Sequence, residues 1–270
     1  MTKLGIIGAG NMGSAILRGM LNAHYIKSSQ ILIHDTNLEK LEAMSHELPN
    51  ITYCDHALDL VRESDMILLA VKPYVMRSVL EQVESAMLGK AFISIAAGWT
   101  VAMLDAIITP AGGTYLRAMP NTPAMVGEGM SALCDNYTMS EDDFLFAKGI
   151  FEAVGRTVVL PEHLFDGVIA LSGSSPAYVY MMIEAMAQAG VSYGIPMDVA
   201  TEMAAQSVLG SAVMVLSSGE HPAALRDAVC SPAGTTIEAV KELELHGYKS
   251  AIMSAMDACN AKSKQMSEKK

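Results

Sequence analysis

Residues 225–241, LRDAVCSPAGTTIEAVK, place a Ser-Pro-small-Gly-Thr-Thr turn directly before a helical pattern. Ser231 suits a helix cap and Pro232 a first-turn position. The backbone N–H groups of Gly234, Thr235 and Thr236 are then expected to point outward without intrahelical partners. Together with the positive end of the helix dipole they suit a carboxylate or phosphate. The hydroxyls of Thr235 and Thr236 would sit beside that anion and address a second polar atom of the same ligand. An ordinary capped helix start has the same spacing, so the rest of the chain decides between the two.

At the other end, Gly8, Gly10 and Gly13 form GAGNMG, with Asn11 and Met12 between the last two glycines. The motif follows an apolar strand pattern and opens a helical one. In that context the first glycine permits a tight turn, the second lets backbone approach a pyrophosphate, and the third lets helix pack closely on strand. Asp35 stands about 20 residues further on, where a carboxylate grips a ribose 2′-OH, and this favours NADH. Thr36, Asn37 and Lys40 could instead meet a 2′-phosphate, and a plain strand-end turn also uses Asp.

Three later loops are expected at the carboxyl ends of strands, where open α/β sheets bind ligands. They are AVKP (Ala70, Val71, Lys72, Pro73), SIAAG (residues 94–98, with Ala96, Ala97 and Gly98) and MPNTP (residues 119–123). Lys72 suits pairing with a cofactor phosphate or ribose, although exposed loop lysines look the same. Asn121, between two prolines, suits orienting a carboxamide or simply forming a turn. LSGSSPAY, residues 171–178, is another Ser/Gly turn before a helix and could merely cap it.

The elements that must carry these loops are legible. Up to residue 160, β-rich runs at Leu4, Ile31, Met66, Ala91, Thr114 and Gly155 alternate with helical patterns at residues 11–21, 38–47 and 75–87. Such alternation predicts an α/β fold, a Rossmann-type doubly wound parallel sheet covered by helices. Beyond Pro161 strand signals stop, and Ala- and Met-rich helices are expected over 177–191, 197–217, 235–245 and 248–262. The expected division is a dinucleotide-binding domain, 1–160, and an all-helical domain, 161–270, ending in a frayed SEKK tail.

Composition sets limits. The 270 residues are 51% hydrophobic and 17% charged, with a net charge of −11. The mean hydropathy of +0.30 suggests extra burial, such as that between subunits. The acidic balance disfavours nucleic acid and anionic membranes as partners. Cys54, Cys134, Cys230 and Cys259 are scattered without a CxxC, which indicates neither a metal site nor a disulfide framework and fits a reducing compartment. Cys230 lacks identifiable nucleophile partners and reads as a packing residue. The apolar strand begins at Leu4, leaving no room for a signal peptide. Residues 203–217 carry no charge; they read as a buried helix too short to span a bilayer, in the core or at a dimer interface.

In order and approximate spacing, GAGNMG, AVKP, SIAAG, MPNTP, LSGSSPAY and LRDAVCSPAGTT resemble the pyrroline-5-carboxylate reductases over essentially the whole chain. Ser175 and Ala233 stand where that family usually has glycine. The resemblance implies reduction of the cyclic imine Δ1-pyrroline-5-carboxylate to L-proline by hydride from NADPH or NADH in the cytoplasm. It also implies interlocked homodimers, often assembled into a decamer. With that substrate, the expected carboxylate donors are the N–H groups of Ala233, Gly234, Thr235 and Thr236, assisted by Ser231. The Thr236 hydroxyl would orient the ring nitrogen as the catalytic contact. A β-hydroxyacid or prephenate-type dehydrogenase shares the architecture but usually needs a Lys or His base. Between Ser172 and Thr236 there is no Lys, and His221 precedes a proline like a turn residue. A non-catalytic dinucleotide sensor is the third reading.

Overall fold

The computed structural model describes residues 2–268. The strands are β1 (Leu4–Ile7), β2 (Ile31–His34), β3 (Thr52–Tyr53), β4 (Met66–Leu69), β5 (Ala91–Ser94), β6 (Thr114–Met119), β7 (Gly129–Cys134) and β8 (Gly155–Leu160). Among the described residues they form one sheet in the order β3-β2-β1-β4-β5-β6-β7-β8. β1, β4 and β5 are buried at every position, as strands covered on both faces must be. Successive residues feed opposite layers. Ile6, Leu68 and Ile93 pack with Ile16, Leu17 and Phe151, while Ile7, Leu69 and Phe92 pack with Leu60, Leu80 and Leu104. Each fully buried Leu, Ile or Phe contributes roughly 1.5–3 kcal/mol.

The crossover helices are α1 (Asn11–Asn22), α2 (Leu38–Glu47), α3 (Ala57–Glu63), α4 (Met76–Val83), α5 (Val101–Ile108) and α6 (Glu141–Glu152). Strand order reverses between β1 and β4, which opens a crevice at their carboxyl ends. The six strands read from sequence are present, but two departures matter. The helix expected over 75–87 stops at Val83 and gives way to a 3₁₀ turn, Glu84–Ala86. The sheet is also not wholly parallel: β7 runs antiparallel to β6 and parallel to β8. The prolines of MPNTP fold the link into a 3₁₀ turn, Thr122–Val126, ending on left-handed Gly127. That link is too short for a helical crossover, so the chain returns as a hairpin.

After β8 come the short α7 (Phe165–Val168) and one wider π-turn, Ile169–Gly173. Packing divides the chain into two compact units: residues through Ser174 together with those from Cys259 onward, and Ser175–Ala258. The texture change near 160 thus marks the last strand, while the first unit continues to Ser174. A partly buried ion pair helps to hold that extension. Glu162 Oε1 accepts from Arg117 Nη1 at 2.6 Å and from the Val101 N–H at 2.5 Å, and the guanidinium lies 4.6 Å from the Phe165 ring centre. Ser263 Oγ donates to Asp166 Oδ1 at 2.5 Å and Cys259 Sγ to Ser174 Oγ at 3.3 Å, which returns the end of the chain to the first unit.

The second unit contains α8 (Ser175–Ser192), α9 (Met197–Ser218), α10 (Pro222–Val229), α11 (Thr235–Leu245) and the first part of α12 (Tyr248–Glu268). Ser175 lies in the first turn of α8, a helical position that needs no glycine. Gly190 admits Ala200 of α9 so closely that a β-carbon there would stand 3.0 Å from the Ala200 methyl. α12 continues through Ser267 and Glu268, so only Lys269 and Lys270 of the expected frayed tail remain, and they lie outside the described residues. The stretch 203–217 is not a buried core helix. It belongs to the 22-residue α9, in which Ala200 and Ala204 are buried while Leu209, Val213, Met214 and Leu216 are half exposed or more. Among the described residues α9 alone is long and apolar enough to cross a membrane, by length and composition.

Candidate coenzyme cleft and anion-binding turn

The three glycines of GAGNMG do different work. Gly8 has φ +105, and a β-carbon there would stand 2.6 Å from the Ala70 carbonyl oxygen. At Gly13 a β-carbon would overlap the Gly8 carbonyl oxygen, so α1 can rest on β1 only without a side chain. Gly10 has φ −65 and nothing within 4 Å of where its β-carbon would be. Its openness therefore serves neither turn nor packing. Gly10 caps α1 with no side-chain hydrogen bond, and the first turn carries no acidic residue. The leading N–H groups and the positive helix end thus face open space, a cradle that fits a pyrophosphate.

That space is a cleft of about 480 Å³. Gly10, Asn11 and Met12 form one wall, Ala70, Val71, exposed Lys72 and Pro73 another, and Ala96, Ala97 and Asn121 lie across from them. Ile95 of SIAAG and Met119, Pro120 and Thr122 of MPNTP also line it, together with Met125 and Gly173, which lie outside those loops. Gly173 was discoverable as part of LSGSSPAY, whereas nothing in the chain marks Met125. Gly98 adopts φ +73 and leads the chain away toward α5. The Trp99 indole N–H donates to the Pro73 carbonyl at 2.9 Å and ties two walls together.

Asn121 serves the loops around it: Oδ1 accepts from the Met130 N–H at 2.8 Å and Nδ2 donates to the Ser172 carbonyl at 3.0 Å. The side chain is 8% exposed and lines the cleft, and each end of the amide keeps one further hydrogen-bonding position. Asp35, the first residue beyond β2, reaches back to the glycine turn: Oδ2 accepts from the Ala9 N–H at 2.7 Å and Oδ1 from the Asn37 N–H at 2.9 Å. Thr36 beside it is exposed. Behind the SIAAG loop, Tyr115 donates to Asp105 Oδ1 at 3.2 Å. Burial first, then the Asp105 carboxylate, pushes this phenol up to about 12.

The turn before α11 lies in the second unit and differs from the expectation in two respects. Ser231 does not cap the helix. Gly234 is the cap residue, and the Gly234 N–H donates to the Ser231 carbonyl at 3.0 Å, closing a β-turn with Pro232 and Ala233 at its centre. The Gly234 N–H is therefore engaged, which leaves those of Thr235 and Thr236 as the leading donors of α11. No side chain caps this helix start. Ala233 takes φ +56, the left-handed value that a proline-led type II turn requires at its third position. Cys230 is the half-buried C-terminal cap of α10, and His221 caps its start, Nδ1 accepting from the Ala223 N–H at 3.2 Å.

Comparison with known proteins agrees with both halves. A family model described as pyrroline-5-carboxylate reductase dimerisation matches residues 162–266, and one described as NADP oxidoreductase coenzyme F420-dependent matches residues 3–98. The pyrroline-5-carboxylate reductase of Escherichia coli K12 is 42% identical, over 98% of both chains. That of Methanosarcina acetivorans is 40% identical, over 99% of this chain and 98% of its own. The crystal structure of the Plasmodium falciparum pyrroline carboxylate reductase with NADP bound superposes with a TM-score of 0.88 at 32% identity, covering 98% of each chain. The chain belongs to the pyrroline-5-carboxylate reductase family.

Proposed function

We propose that the chain reduces Δ1-pyrroline-5-carboxylate to L-proline with NADPH or NADH, as a cytoplasmic enzyme of proline biosynthesis. The observation that carries this reading is the uncapped start of α11, where the leading N–H groups of Thr235 and Thr236 follow a strained turn. The residues 1–160 hold the dinucleotide: Gly10, Asn11 and Met12 meet its pyrophosphate, and Lys72 suits its phosphate or ribose. The residues 161–270 hold the substrate and join the subunits. Thr235 and Thr236 N–H groups bind the carboxylate, with Ala233 shaping the turn and Ser231 assisting.

When bound, the nicotinamide supplies a hydride to the C=N carbon while the ring nitrogen gains a proton. Thr236 holds that nitrogen through its hydroxyl. A hydroxyl is too weak an acid at neutral pH to be the proton source, so Thr236 orients the nitrogen and the proton comes with the iminium or from water. The exposed apolar faces of α8 and α9, such as Tyr180, Met181, Leu209 and Leu216, suit a homodimer, further assembled into a decamer. Four unpaired thiols suit a reducing cytoplasm.

The test follows coenzyme oxidation with pyrroline-5-carboxylate. The unaltered enzyme is expected to oxidise NADPH or NADH, and Thr236→Ala to lower kcat/KM by roughly 10- to 100-fold with coenzyme affinity kept, the effect of losing one hydrogen bond to a charged group. Unchanged turnover in that variant removes Thr236 from the mechanism, and no oxidation by the unaltered enzyme removes the reaction.

A further inference from the structure

We propose that Asp35 makes the enzyme select NADH over NADPH, by fixing a carboxylate where the 2′-phosphate of NADPH would lie. This rests on the reading of the first unit as a nicotinamide-dinucleotide site. In that kind of site the end of the second strand faces the adenosine ribose. Asp35 occupies this place, and its neighbour His34 accepts a hydrogen bond from the Gly8 N–H at 2.8 Å, which sets the end of β2 alongside the glycine turn.

The carboxylate is not free to swing away. The Ala9 N–H holds Oδ2 at 2.7 Å and the Asn37 N–H holds Oδ1 at 2.9 Å. Each carboxylate oxygen has two acceptor positions, so one remains on each for a ribose hydroxyl. A 2′-OH donates to that carboxylate, whereas a 2′-phosphate, carrying roughly −1.5 to −2 charges, meets a fixed negative charge.

The features that would offset this repulsion are already engaged. The start of α2 could receive a phosphate, but Asn37 Oδ1 caps it from within, accepting from the Lys40 N–H at 3.0 Å. Glu39, exposed in the first turn, adds a second negative charge. Lys40 is the one lysine or arginine in residues 34–47. Arg18 of α1 is held by both oxygens of Glu47 at the other end of α2. Over residues 34–40 a single lysine is therefore matched by two carboxylates, Asp35 and Glu39.

The test is a titration of the full-length protein with NADH and with NADPH, following coenzyme fluorescence to obtain Kd, with kcat/KM measured in parallel. The unaltered protein is expected to bind NADH about tenfold or more tightly than NADPH. Asp35→Asn keeps an acceptor for the Ala9 N–H, and Asp35→Ser opens space; both are expected to tighten NADPH binding and bring the two Kd values within about threefold. Equal or tighter NADPH binding by the unaltered protein overturns the proposal, and so does an unchanged Kd ratio in Asp35→Asn. Binding of neither coenzyme by the unaltered protein overturns the dinucleotide reading itself, a separate outcome.

Discussion

Asn121 bonds the Ser172 carbonyl through Nδ2 at 3.0 Å, which fastens the loop after β6 to the π-turn, Ile169–Gly173. Its Oδ1 holds the Met130 N–H at the start of β7. One buried amide thus fixes three segments, and its removal breaks two part-buried hydrogen bonds. Asn121→Ala is expected to lower stability by about 1–3 kcal/mol. Asn121→Asp keeps the Met130 contact but sets an acceptor against the Ser172 carbonyl, so it should destabilise as well. Urea unfolding at fixed protein concentration reads both, and an unchanged midpoint in Asn121→Asp would show that Nδ2 holds nothing.

Gly10 and Gly13 separate ligand binding from packing. A β-carbon at Gly10 meets no atom within 4 Å, while one at Gly13 overlaps the Gly8 carbonyl oxygen. Gly10→Ala is therefore expected to unfold within about 0.5 kcal/mol of the unaltered protein, yet to weaken dinucleotide binding about tenfold or more, because its methyl fills the cradle. Gly13→Ala should lose stability first, by about 1–3 kcal/mol, since backbone must shift. Thermal unfolding without coenzyme, paired with coenzyme titration, distinguishes them. Retained affinity in Gly10→Ala would move the pyrophosphate elsewhere.

Much of this architecture was legible because the buried strands are continuous apolar runs and the glycine motif sits where one of them ends. The helices over 38–47 and 235–245 coincide with their periodic patterns. What escaped prediction depends on tertiary partners. β7, GMSALC, has little β-branched content and becomes a strand by pairing with β6 and β8. β3 is only Thr52–Tyr53, too short to carry a period. The Arg117–Glu162 pair joins residues that no local spacing connects. At the candidate site, residue types were readable but hydrogen-bond partners were not: Asn121 and Ser231 both turn out to serve the backbone around them. For residues 203–217, lack of charge reports burial without saying whether core or another subunit provides it, and the exposure of α9 sets aside the first of these two readings.

Tyr115 should make stability fall in alkali. Its phenol is held neutral up to about 12 by burial and by Asp105, against about 10 in an unfolded chain. The folded state therefore keeps a proton that the unfolded state releases. The stabilisation is complete below pH 10 and disappears as pH rises from 10 to 12. At about 1.4 kcal/mol per unit, the ceiling is about 3 kcal/mol. Burial also pushes up the half-buried Tyr25, Tyr53 and Cys54 and the buried Cys134. The difference between the unaltered protein and Tyr115→Phe isolates this group: urea midpoints measured from pH 9 to 12 should fall less steeply in the variant. Parallel slopes would mean that Tyr115 ionises as it does in water.

Ala233 tests the conformation of the turn before α11. Its φ of +56 places a β-carbon in the left-handed region, which costs about 1–2 kcal/mol. Glycine removes that strain but gives the unfolded chain about 0.5–1 kcal/mol more entropy to lose. Ala233→Gly is therefore expected to raise stability by up to about 1 kcal/mol, and Ala233→Val, branched at the strained carbon, to lower it by more than about 1 kcal/mol. The Gly234 N–H to Ser231 carbonyl bond at 3.0 Å closes the turn whichever residue stands there, so kcat/KM for the imine should change little in Ala233→Gly. Thermal unfolding and turnover decide together. A less stable Ala233→Gly would mean that Ala233 is not left-handed in solution. A more stable variant with lost turnover would mean instead that the alanine methyl itself meets the substrate, making the departure from glycine at this position a contact rather than a tolerated strain.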